Sequence, residues 1–206
     1  KNGENSIAVA SGANANVSPA DVHAARDSIA TADILLMQLE TPLETIQAAM
    51  QIASKNNVRV ILNPAPAQPL SDCILQQVSV LTPNESEAEF LTGIPVKNET
   101  DAETAAIALF DKGIETVLIT LGSKGALVFE SNYRDLVPGF KVEAIDSTAA
   151  GDAFNGALAV ALAEETPLKE AVAFANAAGA LSVTKLGAQP SAPSRSEIDL
   201  FLQKRT

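Results

Sequence analysis

Short apolar runs alternate along this chain with longer stretches of helical spacing. Runs of strand length occupy Ile34 to Leu39, Val58 to Leu62, Val78 to Leu81, Thr116 to Thr120 and Ala126 to Phe129, with an earlier one at Ile7 to Ala10. The segments between them carry helix-start signals. Ser18-Pro19 and Thr41-Pro42 set a capping hydroxyl before a proline whose fixed φ suits the first helical position. Thr41 to Glu44, Thr100 to Glu103 and Ser194 to Glu197 share the capping-box spacing, in which the glutamate reaches back to the cap amide. Gly93 and Gly113 fall where a helix end favours a left-handed residue. Further on, Asp152 to Glu164 and Pro167 to Val183 read as two long alanine-rich helices broken at Glu165-Thr166. Strands that are apolar on both faces and alternate with helices predict an α/β fold. The expectation is a three-layer α-β-α arrangement around a doubly wound, mostly parallel sheet, with residues 1–206 forming one domain. In such sheets ligands gather at the carboxyl ends of the strands, so the loops that follow strands are where function is expected.

Composition narrows the classes. The chain has 206 residues, 47% of them hydrophobic, which suits one sizeable core. Acidic residues outnumber basic ones 25 to 14, and a formal charge of −11 repels a phosphate backbone, so nucleic acid is excluded as a partner. The apolar runs, such as Ile34 to Met37 and Gly156 to Ala163, are too short to span a bilayer, which excludes a membrane partner. A single cysteine, Cys73, and a single histidine, His23, exclude a disulfide framework and a Cys/His zinc site, and they fit a reducing cytoplasm. His23 falls in the helix after Ser18-Pro19 and reads as a surface residue. Asn2-Gly3 is a strong hairpin-turn signal with a strand on one side of it alone. Residues 1–10 therefore read as the remnant of a hairpin that the sequence enters midway.

The expected carboxyl-end loops collect polar and glycine-rich residues. Glu40 follows the first of these strands and Asn63-Pro64-Ala65-Pro66 the second. Thr82-Pro83-Asn84-Glu85-Ser86-Glu87 follows the third, and Leu121-Gly122-Ser123-Lys124-Gly125 the fourth. The most informative segment runs from Asp146 to Gly156. There Ala149, Ala150 and Gly151 lead into a helix expected to start at Asp152. Free amides at a helix N-terminus, with the positive end of its dipole, form an anion site, and small residues let a phosphate approach the backbone. Asp152 beside that site is placed to accept a proton from a hydroxyl. Neither G-x-x-x-x-G-K-[ST] nor G-x-G-x-x-G after a strand is present, so a nucleotide site here is built in another way.

The segment DSTAAGDAFNGA, Asp146 to Ala157, resembles the signature of the PfkB carbohydrate kinases, in the branch that phosphorylates ribose. Leu35 to Glu44, Leu62 to Ala67, Leu81 to Gly93, Val117 to Ala126 and Lys185 to Pro193 match further family segments, in family order, over essentially the whole chain. The resemblance implies ATP-dependent phosphorylation of D-ribose at its 5-hydroxyl, with Mg2+ and K+ as cofactors and a cytoplasmic homodimer as the intact form. It implies Asp152 as catalytic base, contacting the sugar together with Glu40. Ala149, Ala150 and Gly151 form the implied anion hole. The implied ATP site comprises Asn84, Thr120, Leu121, Gly122, Ser123, Lys124, Gly125, Gly151, Asp152 and Asn176. Glu87 is implied to help place magnesium indirectly. Asp146, Thr148, Ser182, Lys185, Gly187 and Ser191 are implied to surround a monovalent cation, Lys185 through its carbonyl. Family members also carry an N-terminal segment with the first core strands, a small β-sheet lid and a sugar-gripping Gly-Gly-Lys-Gly-Ala-Asn type loop. None of these is in the sequence, so residues 1–10 are expected to be the end of the lid as it returns to the core. Two alternatives stand beside this reading: a family kinase for another sugar or a nucleoside, and a nucleotide-binding core without catalysis.

Overall fold

A computed structural model describes residues 11–204. The strand expected at Ile7 to Ala10 and the Asn2-Gly3 turn lie outside the described residues. In chain order the elements are α1 (Pro19–Ala24), α2 (Arg26–Ala30), β1 (Ile34–Met37), α3 (Leu43–Lys55), β2 (Arg59–Leu62), α4 (Asp72–Leu75), β3 (Val80–Leu81), α5 (Glu85–Thr92), α6 (Glu99–Phe110), β4 (Thr116–Thr120), β5 (Gly125–Glu130), β6 (Tyr133–Pro138), α7 (Ala150–Ala163), α8 (Leu168–Ser182) and α9 (Arg195–Gln203).

Pleating sends successive strand residues to opposite faces, so apolar runs create two cores. Val60, Leu62, Leu81, Val117 and Ile119 face one core with Ile46 and Met50 of α3 and Leu109 of α6. Ile61, Val80, Leu118, Ala126 and Val128 face the other, with Phe154 and Leu158 of α7 and Ala175 of α8. Ile61, Leu118 and Met50 are completely buried, each worth about 1.5–3 kcal/mol relative to exposure.

The six strands lie in the order β1-β2-β3-β4-β5-β6. β1 to β4 are mutually parallel, and β5 and β6 return antiparallel. Right-handed crossovers that advance in one direction keep α3, α4, α5 and α6 on a single face. The second helical layer comes from α7, α8 and α9, which follow the antiparallel strands, and not from a reversal in the order of the parallel strands. The three-layer, mostly parallel architecture is thus present, with helices on both faces of a mixed sheet. No helix among the described residues is long and apolar enough to cross a membrane.

Two expected capping boxes are replaced. α3 starts after Pro42 with no side-chain cap, so Thr41 and Glu44 do not form one. α6 is capped by Asn98, whose side chain accepts from the Asp101 N–H, so it starts before Thr100. The boxes at Ser194 and Glu197, and at Ser18 with Asp21 as the returning acid, form in full. Gly93 and Gly113 both adopt positive φ. His23 is exposed.

Candidate active site

The carboxyl end of β3 is extended past the strand itself. The Thr120 amide donates to Pro83 O (2.9 Å), and Asn84 forms a parallel bridge to Thr120. Asn84 caps α5 with a complete box: its Oδ1 accepts from the Glu87 N–H at 2.9 Å, and Glu87 Oε2 accepts from the Asn84 N–H at 2.8 Å. Burial pushes the Glu87 carboxyl upward, against the pull of the Asn84 N–H. Its carboxylate is turned onto the cap, while Asn84, Glu85 and Ser86 border the adjacent cleft.

After β4 the chain reverses through Leu121 to Lys124 into β5. The Leu121 amide donates to Gly125 O (2.8 Å) and the Lys124 amide to Leu121 O (3.1 Å). Gly122 (φ +56) and Gly125 (φ +111) use left-handed backbone that other residues rarely adopt. Gly139, just past β6, seats against this loop, its amide donating to Lys124 O at 3.0 Å. A Cβ at Gly125 would fall 2.0 Å from Val137 O, and one at Gly139 would fall 2.6 Å from Ser123 O. The two backbones touch through glycines.

Opposite these loops stands the start of α7. Its N-cap, Ala149, has φ +61, a strained left-handed conformation for a residue with a side chain. The Ala150 amide donates to Ser147 O at 3.3 Å, and the amides of Gly151 and Asp152 lie in the first turn, where the helix offers no acceptor. Asp152 is therefore the third helical residue and not the first, and the first turn of α7 leaves the Gly151 and Asp152 amides open, with the Ala150 amide held by the long 3.3 Å bond to Ser147 O.

These elements enclose a cleft of about 950 Å³. It is bordered by Asn84, Thr120, Gly122, Ser123, Gly125, Ala150, Gly151 and Asn176, eight of the expected positions. Asn176 is buried, and its Nδ2 donates to Val137 O (3.0 Å) and Pro138 O (3.2 Å), pinning the end of β6. Leu121 is buried behind the loop, and Lys124 is exposed without bordering the cleft. Ala149 and Asp152 instead border a smaller neighbouring cavity of about 450 Å³ with Ala153, Gly156 and Gln189. Asp152 is exposed there. Glu40 borders neither cavity; it is exposed and accepts a hydrogen bond from Asn14 Nδ2 at 3.2 Å. Sequence reasoning did not find the cleft wall at Gly139, Phe140, Lys141 and Val142. Pro138-Gly139 was its one available signal, as a turn dipeptide.

Asp146 stitches two loops together. Its Oδ1 accepts from the Thr148 N–H (3.0 Å) and Thr148 Oγ1 (2.7 Å), and its Oδ2 from the Gly187 N–H (2.9 Å). Val183 O accepts from the amides of Ile145 and Asp146. Ser182 and Ser191 are buried, and their hydroxyls donate to Gly179 O and Ala188 O. Lys185 turns outward to Glu197, 3.0 Å away, leaving its backbone to the loop. The Ser194 N–H, with help from Lys185, holds Glu197 down at about 2. An oxygen-rich turn holding one carboxylate has the donor chemistry of an alkali-cation site. The described residues contain no group of three or more His, Cys, Asp or Glu that could hold a metal ion.

The Thr148 hydroxyl, with the Gly187 and Thr148 amides, favours the charged Asp146 and lowers its carboxyl below the ordinary 3.8. A lowered acid contributes its tie above its unfolded value and loses it as pH falls through the folded one. Acidification should therefore shift the Gly187 amide resonance with a midpoint below 3.8. A midpoint at or above 3.8 in an NMR titration would contradict the tie.

Comparison with known proteins gives a consistent family. The profile of "pfkB family carbohydrate kinase" matches residues 1–195. Ribokinase of Haemophilus influenzae is 54% identical over 98% of this chain and 66% of its own length. The crystal structure of ribokinase from Thermotoga maritima superposes with a TM-score of 0.86 at 42% identity, covering 98% of this chain and 67% of that one. The Arabidopsis thaliana ribokinase complexed with ribose and ATP superposes with a TM-score of 0.89 at 31% identity, covering 98% and 66%. The chain thus spans about two-thirds of the length of these relatives.

Proposed function

The chain belongs to the pfkB family of carbohydrate kinases, and from that membership we propose that it carries the nucleotide site and the catalytic base of an ATP-dependent kinase acting on the 5-hydroxyl of D-ribose. One observation supports this most strongly. The open first turn of α7 shares a single cleft with Asn84, Thr120 and the glycine loop at Gly122 to Gly125. The loop and Asn176 hold the nucleotide, and the Ala150 and Gly151 amides take the charge of the transferred phosphoryl group, in the manner of an oxyanion hole. The ribose 5-oxygen attacks the γ-phosphorus, the bond to the bridging oxygen breaks, ADP leaves, and Asp152 takes the hydroxyl proton. Glu40 orients the sugar.

Magnesium accompanies the nucleotide phosphates, with Glu87 shaping the Asn84 turn beside them. The loops of Asp146, Thr148, Ser182, Lys185, Gly187 and Ser191 would hold potassium, several of them through backbone carbonyls and Lys185 through its carbonyl alone, and the ion would steady the loop before the anion hole. Residues 1–206 read as one core domain of a cytoplasmic homodimer, and the exposed, unpaired Cys73 is compatible with a reducing compartment.

The test follows phosphoryl transfer by phosphorus NMR in a chain extended to the length of its relatives. Ribose is expected to outperform fructose and adenosine, and exchange of sodium for potassium to raise the rate. Asp146→Ala should abolish that salt response. Preference for another acceptor would redirect the reading within the family, and nucleotide binding without any transfer would end it.

A further inference from the structure

Asn155 is a buried polar residue inside α7, near the end of the Asp146 to Ala157 segment, and it has been given no role above. Asparagine is a poor helix former because its side chain competes for backbone groups. Here that competition is put to use. Its Nδ2 donates to Gly151 O, one turn back, at 2.9 Å. That carbonyl fixes the amide orientation, so Oδ1 points the other way, where it accepts from Thr82 Oγ1 at 2.7 Å. Thr82 stands just past β3, two positions before Asn84, and its own carbonyl accepts from Asn63 Nδ2 at 2.9 Å. The Asn63 amide in turn donates to Met37 O of β1 at 2.9 Å. Thr82, Asn155 and Asn63 are 1%, 4% and 8% exposed, so the thread runs dry from the sheet edge to the first turn of α7.

We infer that Thr82 and Asn155 are positioning residues, a buried clamp that fixes the first turn of α7 against the carboxyl edge of the sheet. The clamp sets the anion-binding amides of Ala150 and Gly151 in register with Asn84 and Thr120 across the cleft. It rests on the proposed kinase reading for its catalytic consequence, but not for its structural one. Core packing alone holds α7 on the sheet through Phe154 and Leu158, yet apolar contacts are non-directional and tolerate small slides of a helix. A buried hydrogen bond between an amide and a hydroxyl does not, because a slide would leave Asn155 Oδ1 unsatisfied and the Thr82 hydroxyl with only its longer contact, 3.4 Å to Leu62 O.

Thr82→Val removes the hydroxyl at nearly constant shape, and Thr82→Ser keeps it. In the chain itself, Thr82→Val should speed amide exchange at Ala153, Phe154 and Asn155 about tenfold or more, with the middle of α8 changing less than about twofold. Thr82→Ser should exchange like the parent. In a chain of relatives' length, Thr82→Val should lower kcat about tenfold to a hundredfold while the KM for ATP stays within about twofold. Thr82→Ser should restore kcat. Uniform acceleration of exchange across α7 and α8 would reduce the pair to ordinary core packing and overturn the proposal, as would a full kcat in Thr82→Val. If the parent itself transfers no phosphoryl group, the kinase reading fails, and exchange alone still decides the clamp.

Discussion

Asp152→Asn, in a chain extended to the length of its relatives, is expected to lower ribose turnover about a hundredfold to ten-thousandfold and to leave ATP affinity within about twofold, since a positioned general base contributes on that scale. The substitution preserves the shape and the position as third residue of α7 but removes the ability to take a proton. The proposed nucleotide contacts lie elsewhere: Asn84, Thr120, Gly122 and Asn176 border the large cleft, whereas Asp152 faces the smaller cavity beside it. Binding and chemistry should therefore separate. Calorimetric titration with ATP, paired with steady-state kcat, reads both. A kcat within a few-fold of the parent would move the base to another residue, and a matching loss of ATP affinity would place Asp152 among the nucleotide contacts.

Gly125→Ala should be the most damaging change to the proposed nucleotide loop. The residue sits at φ 111°, ψ −142°, a region closed to side-chain-bearing residues, and strain of this kind costs about 1–3 kcal/mol. The added Cβ would meet Val137 O at 2.0 Å and the Gly139 amide at 2.5 Å. Both are backbone atoms, so no rotamer relieves the clash, and overpacking of this sort adds about 1–3 kcal/mol. Against a total of roughly 5–15 kcal/mol for a domain, a combined loss of roughly 2–6 kcal/mol is severe. Urea unfolding should show the midpoint fall sharply, and any folded fraction should fail to retain nucleotide because β5 and β6 have parted at the loop. An alanine variant as stable as the parent would mean that the two backbones are not held this close.

The parallel half of the fold was legible because its strands are uninterrupted apolar runs, such as Val60 to Leu62 and Thr116 to Thr120, buried on both faces. β6 was not, since Tyr133 to Pro138 carries Arg134 and Asp135 and is only partly buried at the edge of the sheet. The reversal between β4 and β5 was implicit in its length, as a loop this short cannot make the crossover of a dozen or more residues that a parallel pair needs. Capping boxes at Thr41 and Thr100 failed because spacing alone does not say which residue leaves the helical conformation. Pro42 and Asn98 did so first. Part of the cleft could be read from local signals: glycines at a turn, small residues before a helix, an asparagine at a cap; Asn176 came with the family resemblance alone, and the wall at Gly139 to Val142 was not found. The Thr82–Asn155 bond could not, because nothing local in either segment points to the other.

That same bond bears on the order of events in folding. It joins positions 73 residues apart, the widest separation of any side-chain hydrogen bond described. The strand pairs, by contrast, connect successive strands, and α7 with α8 makes a helical hairpin. Closure entropy rises with the length of chain enclosed, so near-neighbour pairings form early and distant ones late. The sheet and the helical hairpin can each assemble from local contacts before α7 locks to the end of β3. The first turn of α7, the proposed anion site, is then among the last parts of the molecule to reach its final place, and refolding monitored by backbone structure should run ahead of recovery of nucleotide binding.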